Sequence, residues 1–335
     1  MSTTAMVCAS THSAGYFAPM SQQLWVLVLS LGFILMTGCS QVPSSEPKEE
    51  QSTDEVIPAM ISDSNRLEIQ GHRGARGLMP ENTVPGFVLA IQQGADVLEL
   101  DLCIAGDGTV IVSHEPWMSH EICRSPDGRE ISFDDERNHN LHQMSLEEMR
   151  AYDCGSRIHP RFPEQRPLAA SKPTLAEVVK MVEKVPLLDG GILRYNMEIK
   201  HRPDFEPEYC PDAETFTALV VAQVQQLGIV ERTCIQSFSE AAMEAVHQLA
   251  PEITTAWLTD TEGSVQSELD RLSFQPDIYS PNWKLIDATD VKSLQDSGIR
   301  VIPWTVNSQE DLYSTMQLGV DGIITDFPGR LYDMR

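Results

Sequence analysis

From Leu67 onward, short runs of β-forming residues alternate with helical patterns, and this alternation constrains the fold more than any other feature. Eight runs read as strands: Leu67–Gly71, Val97–Leu102, Tyr195–Ile199, Thr233–Gln236, Thr254–Leu258, Ile278–Ser280, Arg300–Thr305 and Gly322–Thr325. Between them, helical periodicity fills Val84–Gln93, Leu175–Lys184, Ala213–Gln226, Glu240–Leu249, Asp287–Asp296 and Gln309–Gln317. Strand–helix alternation through eight units predicts an α/β fold closed as a (β/α)8 TIM barrel. An open, doubly wound sheet is the competing arrangement. One segment breaks the rhythm. Asp107-Gly108 is a hairpin dipeptide leading into Val110–Ser113, which extends the second strand unit. Residues from about 115 to 172 are then rich in Gly, Pro and Asp, and are too long for a bare loop. They read as a small inserted subdomain within a barrel spanning 66–335. Loops that follow strands lie on the catalytic face of a barrel, so the insertion is expected to roof the site.

The N-terminus reads as an export signal. Leu24–Met36 is an apolar run of 13 residues, shorter than the roughly 20 needed to span a bilayer. It suits the apolar core of a signal peptide. Thr37-Gly38-Cys39 follows and resembles a bacterial lipobox, which makes residues 1–38 a lipoprotein signal and Cys39 the lipidated first mature residue. No Lys or Arg precedes Lys48, a departure from the usual basic start, and an ordinary cleaved signal or an uncleaved anchor is the alternative. Residues 39–65 are polar and acidic and read as a flexible tether. The expected location is outside the inner membrane barrier. There the chain is held on a membrane by its lipid anchor alone and faces the periplasm or cell surface.

Charge narrows the partners. With 24 Lys and Arg against 49 Asp and Glu, the net charge of −25 repels phosphate backbones and argues against nucleic acid. Cys103, Cys123, Cys154, Cys210 and Cys234 follow Cys39, and no pair has zinc-site spacing. Cys123 and Cys154 share the insertion, and an oxidising compartment allows a bridge between them.

Several strand ends carry residues suited to chemistry. Gly71-His72-Arg73-Gly74 closes the first strand, joining a proton carrier near neutral pH to a planar guanidinium. Glu99 and Asp101, two apart in VLELDL, share one face of a strand. Carboxylates set among Val and Leu are costly to bury unpaired, and all-oxygen ligation suits Mg²⁺ or Ca²⁺. Glu198 and Lys200 repeat the spacing in YNMEIK, offering a third oxygen ligand and a fixed positive charge. His114 ends VIVSH, where a second acid or base belongs. The bland readings are a packed His in a basic loop, a buried Glu–Lys pair and a capping His. Asn82 reads most simply as a helix cap.

The motifs GHRGARGLMPENT, VLELDL with the following GDGT turn, VSHEPW, YNMEIK, IQSFS, PWTVN and GVDGIITDFP together resemble the glycerophosphodiester phosphodiesterase family, in its exported lipoprotein form. They run from Gly71 to Pro328. The resemblance implies a (β/α)8 barrel with an inserted subdomain, His72 and His114 as the acid/base pair, and Glu99, Asp101 and Glu198 as ligands of one divalent cation, Ca²⁺ or Mg²⁺. It also implies phosphate contacts from Arg73 and Lys200 and hydrolysis of small glycerophosphodiesters to glycerol 3-phosphate and an alcohol. Trp304 contacts the glycerol carbons or packs the barrel. Glu115 stands where many members have Asp. Competing functions are a phospholipase D-like lipid hydrolase related to sphingomyelinase D, a glycosidase using Glu99 and Glu198, and a surface-binding lipoprotein without catalysis.

Overall fold

The computed structural model describes residues 66–335; the leader, Cys39 and the acidic tether lie outside the described residues. Among the described residues the strands are β1 (Glu68–Gly71), β2 (Val97–Ile104), β3 (Val110–Val112), β4 (Arg194–Ile199), β5 (Thr233–Ser237), β6 (Thr254–Thr259), β7 (Ile278–Pro281), β8 (Arg300–Val301) and β9 (Gly322–Thr325). The α-helices are α1 (Val84–Gln92), α2 (Leu146–Arg150), α3 (Leu175–Val182), α4 (Ala213–Leu227), α5 (Glu240–Leu249), α6 (Val265–Leu269), α7 (Ala288–Asp296), α8 (Gln309–Gln317) and α9 (Pro328–Tyr332). Apart from β3, the strands run parallel in the order β8-β7-β6-β5-β4-β2-β1-β9. Backbone bonds from Asp321 N to Val301 O, Ile324 N to Pro303 O and Val306 N to Ile324 O bring the two ends together. The fold is therefore a nearly closed barrel of eight parallel strands.

The seventh barrel strand is shorter than the sequence pattern suggests. Arg300–Thr305 was expected, and regular pairing ends at Val301. Pro303 has no N–H to donate and interrupts the ladder, although Ile302 and Trp304 still donate to Tyr279 O and Pro281 O. The short helices α6 and α9 were too brief to show a repeating apolar pattern. The Asp107-Gly108 turn forms the expected hairpin, with β3 antiparallel to β2.

Strand alternation divides β2 by function. Leu98, Leu100 and Leu102 join Phe87, Ile91, Phe216 and Val220 in the core shared with the helices. Glu99 and Asp101 are equally buried but point to the opposite face, into the barrel. The interior is itself divided. Ala256, Ile278, Ile302 and Ile324 form an apolar wall, while Glu68, Gln70, Asn196 and Gln236 make a polar one.

The segment between β3 and α3 has its own small core. Met118, Cys123, Ile131, Leu141, Met149 and Cys154 pack with Cys103, Ala105 and Ile111 of the hairpin. A disulfide joins Cys123 to Cys154. Ser145 and Glu148 form a reciprocal cap on α2, and Thr174 and Glu177 do the same on α3. Cys103, Cys210 and Cys234 are free thiols.

Candidate active site

A cavity of about 550 Å³ opens at the C-terminal ends of the barrel strands. His72, Arg73, Glu99, His114, Glu198, Lys200 and Trp304 all line it. Asp101 lies beneath, fully buried, with oxygens of Glu99, Asp101 and Glu198 all within 4.8 Å of one another.

Each acid is held by a specific donor. Glu99 accepts from the main-chain N–H of Arg73 at 2.8 Å and from Gln236 Nε2 at 2.9 Å. Asp101 Oδ2 accepts from Asn82 Nδ2 at 2.7 Å. Lys200 Nζ donates to Glu198 Oε1 at 2.7 Å and stands 3.7 Å from Asp101 Oδ1. Burial, with Asp101 and Glu198 nearby, pushes the Glu99 carboxyl well above its ordinary range. Burial and Asp101 also push Glu198 up to about 7, against the pull of Lys200. Burial acts the same way on Asp101, but Arg73, His114 and Lys200 outweigh it and hold that carboxyl low. The protein's own cations thus outweigh burial at Asp101 but not at Glu99 or Glu198. Asp101 Oδ1 is buried and accepts no hydrogen bond from the described residues. Three carboxylates with an unpartnered oxygen fit a hard divalent cation.

The two histidines are each oriented through Nδ1. His72 Nδ1 is 2.7 Å from Asp326 Oδ1, and Asp326 Oδ2 accepts from Asn307 Nδ2 at 2.7 Å. His114 Nδ1 is 2.6 Å from Glu115 Oε1. In both rings Nε2 is the nitrogen left for chemistry. Burial lowers the pKa of His72 although Asp326 opposes it. Burial, then Arg73 and Lys200, lower that of His114.

Several supporting residues escaped the sequence reading. For Asp326 and Asn307 the only signal in the sequence is a position just past a strand. Glu81 bridges Arg73 Nη1 at 2.9 Å and Arg76 Nε at 2.5 Å. Asn82 is a correction: it does not cap α1. Thr83 is the cap, its hydroxyl accepting from Gly86 N, and Asn82 turns back to Asp101. The insertion contributes Arg161 and Phe162 to the cavity wall, where Arg76 lies over the Phe162 ring at 5.0 Å. Trp304 meets Phe238 edge to face at 5.5 Å and donates through Nε1 to Ser280 O.

The sequence model of the Glycerophosphoryl diester phosphodiesterase family matches residues 72–330, across both histidines and all three clustered acids. This chain belongs to that family. A glycerophosphodiester phosphodiesterase of Bacillus subtilis is 26% identical over 278 residues, covering 81% of this chain and 87% of its own. A Silicibacter pomeroyi structure assigned to the same family superposes with a TM-score of 0.71 at 28% identity, covering 81% of this chain and 94% of that one. An Oleispira antarctica phosphodiesterase, solved with the product sn-glycerol-3-phosphate, shares the fold at a TM-score of 0.62 and 22% identity, covering 79% and 95% of the two chains. The enzyme class implied by the motifs, a glycerophosphodiester phosphodiesterase, is the class of this chain.

Proposed function

We propose that the protein hydrolyses glycerophosphodiesters to glycerol 3-phosphate and an alcohol, with Glu99, Asp101 and Glu198 holding one divalent cation, Ca²⁺ or Mg²⁺. The observation that carries this reading is the convergence of three buried carboxylates and two oriented imidazoles on a single cavity. A cation bound there would polarise a non-bridging phosphate oxygen and offset the charge that grows in the transition state. Arg73 and Lys200 add fixed positive charge on the same wall for the phosphate. One imidazole, through its free Nε2, takes the proton of the attacking oxygen, from water or from the substrate's own glycerol 2-hydroxyl. The other returns a proton to the departing alkoxide. Trp304 offers an apolar surface for the glycerol carbons.

The lipobox at Thr37-Gly38-Cys39 supports an exported enzyme tethered by lipid on Cys39, with the acidic segment 39–65 as its leash. Among the described residues no helix is long and apolar enough to cross a membrane.

The test is turnover of glycerophosphocholine by His72→Ala and His114→Ala variants, each beside a thermal melt. Each loss is expected to be about 10²–10⁴-fold in folded protein. Near-normal turnover by both would reject the assignment. Sphingomyelin and lysophosphatidylcholine, run in the same panel, separate a lipid-cleaving specificity from the diesterase.

A further inference from the structure

A continuous file of side-chain hydrogen bonds crosses the barrel interior and ends on Glu99. Glu68 Oε1, at the start of β1, accepts from Gln70 Nε2 at 2.6 Å. Gln70 Oε1 accepts from Asn196 Nδ2 at 2.8 Å. The same Asn196 Nδ2 donates to Gln236 Oε1 at 2.9 Å, and Gln236 Nε2 donates to Glu99 Oε1 at 2.9 Å. Gln70, Asn196, Gln236 and Glu99 are all at most 2% exposed. Barrel interiors are ordinarily filled by branched apolar side chains, so a polar file here calls for a reason.

The chemistry of the two ends dictates the direction of every amide. A carboxylate only accepts, as Glu68 does and as Glu99 does in the form that holds a cation, so Gln70 and Gln236 each turn their NH₂ outward, to Glu68 and Glu99. Their carbonyl oxygens then both face Asn196. Only a group with two donor hydrogens can serve both, and Asn196 supplies them. Its own Oδ1, buried, is left without a hydrogen bond among the described residues. Turning Asn196 over would give that oxygen no donor, since it would set oxygen against oxygen at both glutamines. They would then have to turn as well, bringing carbonyl oxygens onto the carboxylates. The unpartnered Oδ1 is the consequence of two acids facing one junction.

We infer that Asn196 is a positioning residue for the cation site: its two amide hydrogens lock Gln236 in the orientation that donates to Glu99, so that Glu99 is aimed before a cation arrives. This rests on the proposed cation role of Glu99. Asn196 touches neither the cation ligands' shared centre nor, on this reading, the substrate; it acts through Gln236. Outer partners of this kind typically contribute 10–100-fold to metal affinity.

The experiment is calorimetric titration of Ca²⁺ and Mg²⁺ into the metal-stripped full chain, for wild type, Asn196→Leu and Gln236→Leu, each checked by thermal melt. Both variants are expected to bind about 10–100-fold more weakly than wild type. A folded variant whose Kd stays within about threefold of wild type overturns the inference while leaving the cation reading intact, whereas a wild type that binds neither ion overturns both. Should the variants fail to fold, nuclear magnetic resonance of the wild type decides. Both Asn196 side-chain hydrogens must exchange slowly, and the Gln236 amide must shift on adding the cation; rapid exchange or no shift overturns the junction.

Discussion

The main-chain N–H of Asn82 donates to the carbonyl oxygen of Arg73 at 3.0 Å, joining the two non-glycine residues of the described chain that hold a left-handed backbone, with φ of 53° and 52°. Each carries its strain next to an acid of the candidate metal site. Arg73 turns its N–H onto Glu99, and Asn82 turns its side-chain amide onto Asp101. Left-handed φ costs an ordinary residue about 1–2 kcal/mol, and Asn tolerates it better than most. Local backbone energy is thus exchanged for two donors placed beneath the cluster.

That coupling separates backbone from side chain at Asn82. Asn82→Gly and Asn82→Ala both remove the bond to Asp101, and both should lower turnover by about tenfold, since positioning contacts to metal ligands contribute on that scale. Only the alanine keeps the strained φ, so the glycine variant should be the more stable by about 1 kcal/mol in chemical denaturation. Equal stabilities would show that the backbone there is unstrained.

Asp326 should set where His72 titrates in the activity profile. Burial lowers the His72 pKa from its ordinary 6.5, and Asp326 is the main group pulling it back up. Asp326→Asn removes that pull, so the limb of the kcat/KM profile that His72 sets, the acid limb if it is the base and the basic limb if it is the acid, should move to lower pH. The same depression has a stability sign. The neutral ring is favoured in the folded state, so its contribution is present above pH 6.5 and is lost as pH falls below it toward the folded value. Denaturant midpoints measured between pH 5 and 7.5 for wild type and His72→Ala check this; identical pH slopes would argue against it.

Chelation should remove activity and stability together. Three carboxylates within 4.8 Å repel one another unless one is protonated or a dication sits among them. Exhaustive treatment with EDTA is expected to abolish diester hydrolysis and lower Tm. Restoring the ion at about 100 times its Kd should return about 2.7 kcal/mol. The Glu99→Ala, Asp101→Ala double variant should show no such recovery. Full activity after chelation would sink the cation assignment.

Membrane attachment depends, on the proposed reading, on one atom. Cys39→Ser should shift the protein from the membrane fraction to the soluble fraction and end incorporation of labelled fatty acid, with specific activity unchanged. Retention of the serine variant on membranes would point to an uncleaved anchor instead.

Much of the barrel was legible because its causes are local. Two-residue periodicity in VLELDL necessarily sets Glu99 and Asp101 on one face and the leucines on the other. The same rule holds for Glu198 and Lys200. The Thr174–Glu177 cap on α3 is equally local, although the sequence reading does not single it out. What periodicity cannot encode is which strand end meets which. His72 and Asp326 stand 254 positions apart and touch because β9 closes onto β1. Gln236 reaches Glu99 across 137 positions, and Gln70 reaches Asn196 across 126, because β1, β2, β4 and β5 lie side by side in the barrel. Asn82 looked like a helix cap from its neighbours alone. Its left-handed turn onto Asp101 is decided by a carboxylate 19 residues later that only the folded barrel brings within reach. Residue type and spacing therefore determined the strands and the faces on which the acids lie. Tertiary closure decided which amides and carboxylates hold those acids and histidines, because hydrogen bonds form between atoms near in space whatever their separation along the chain.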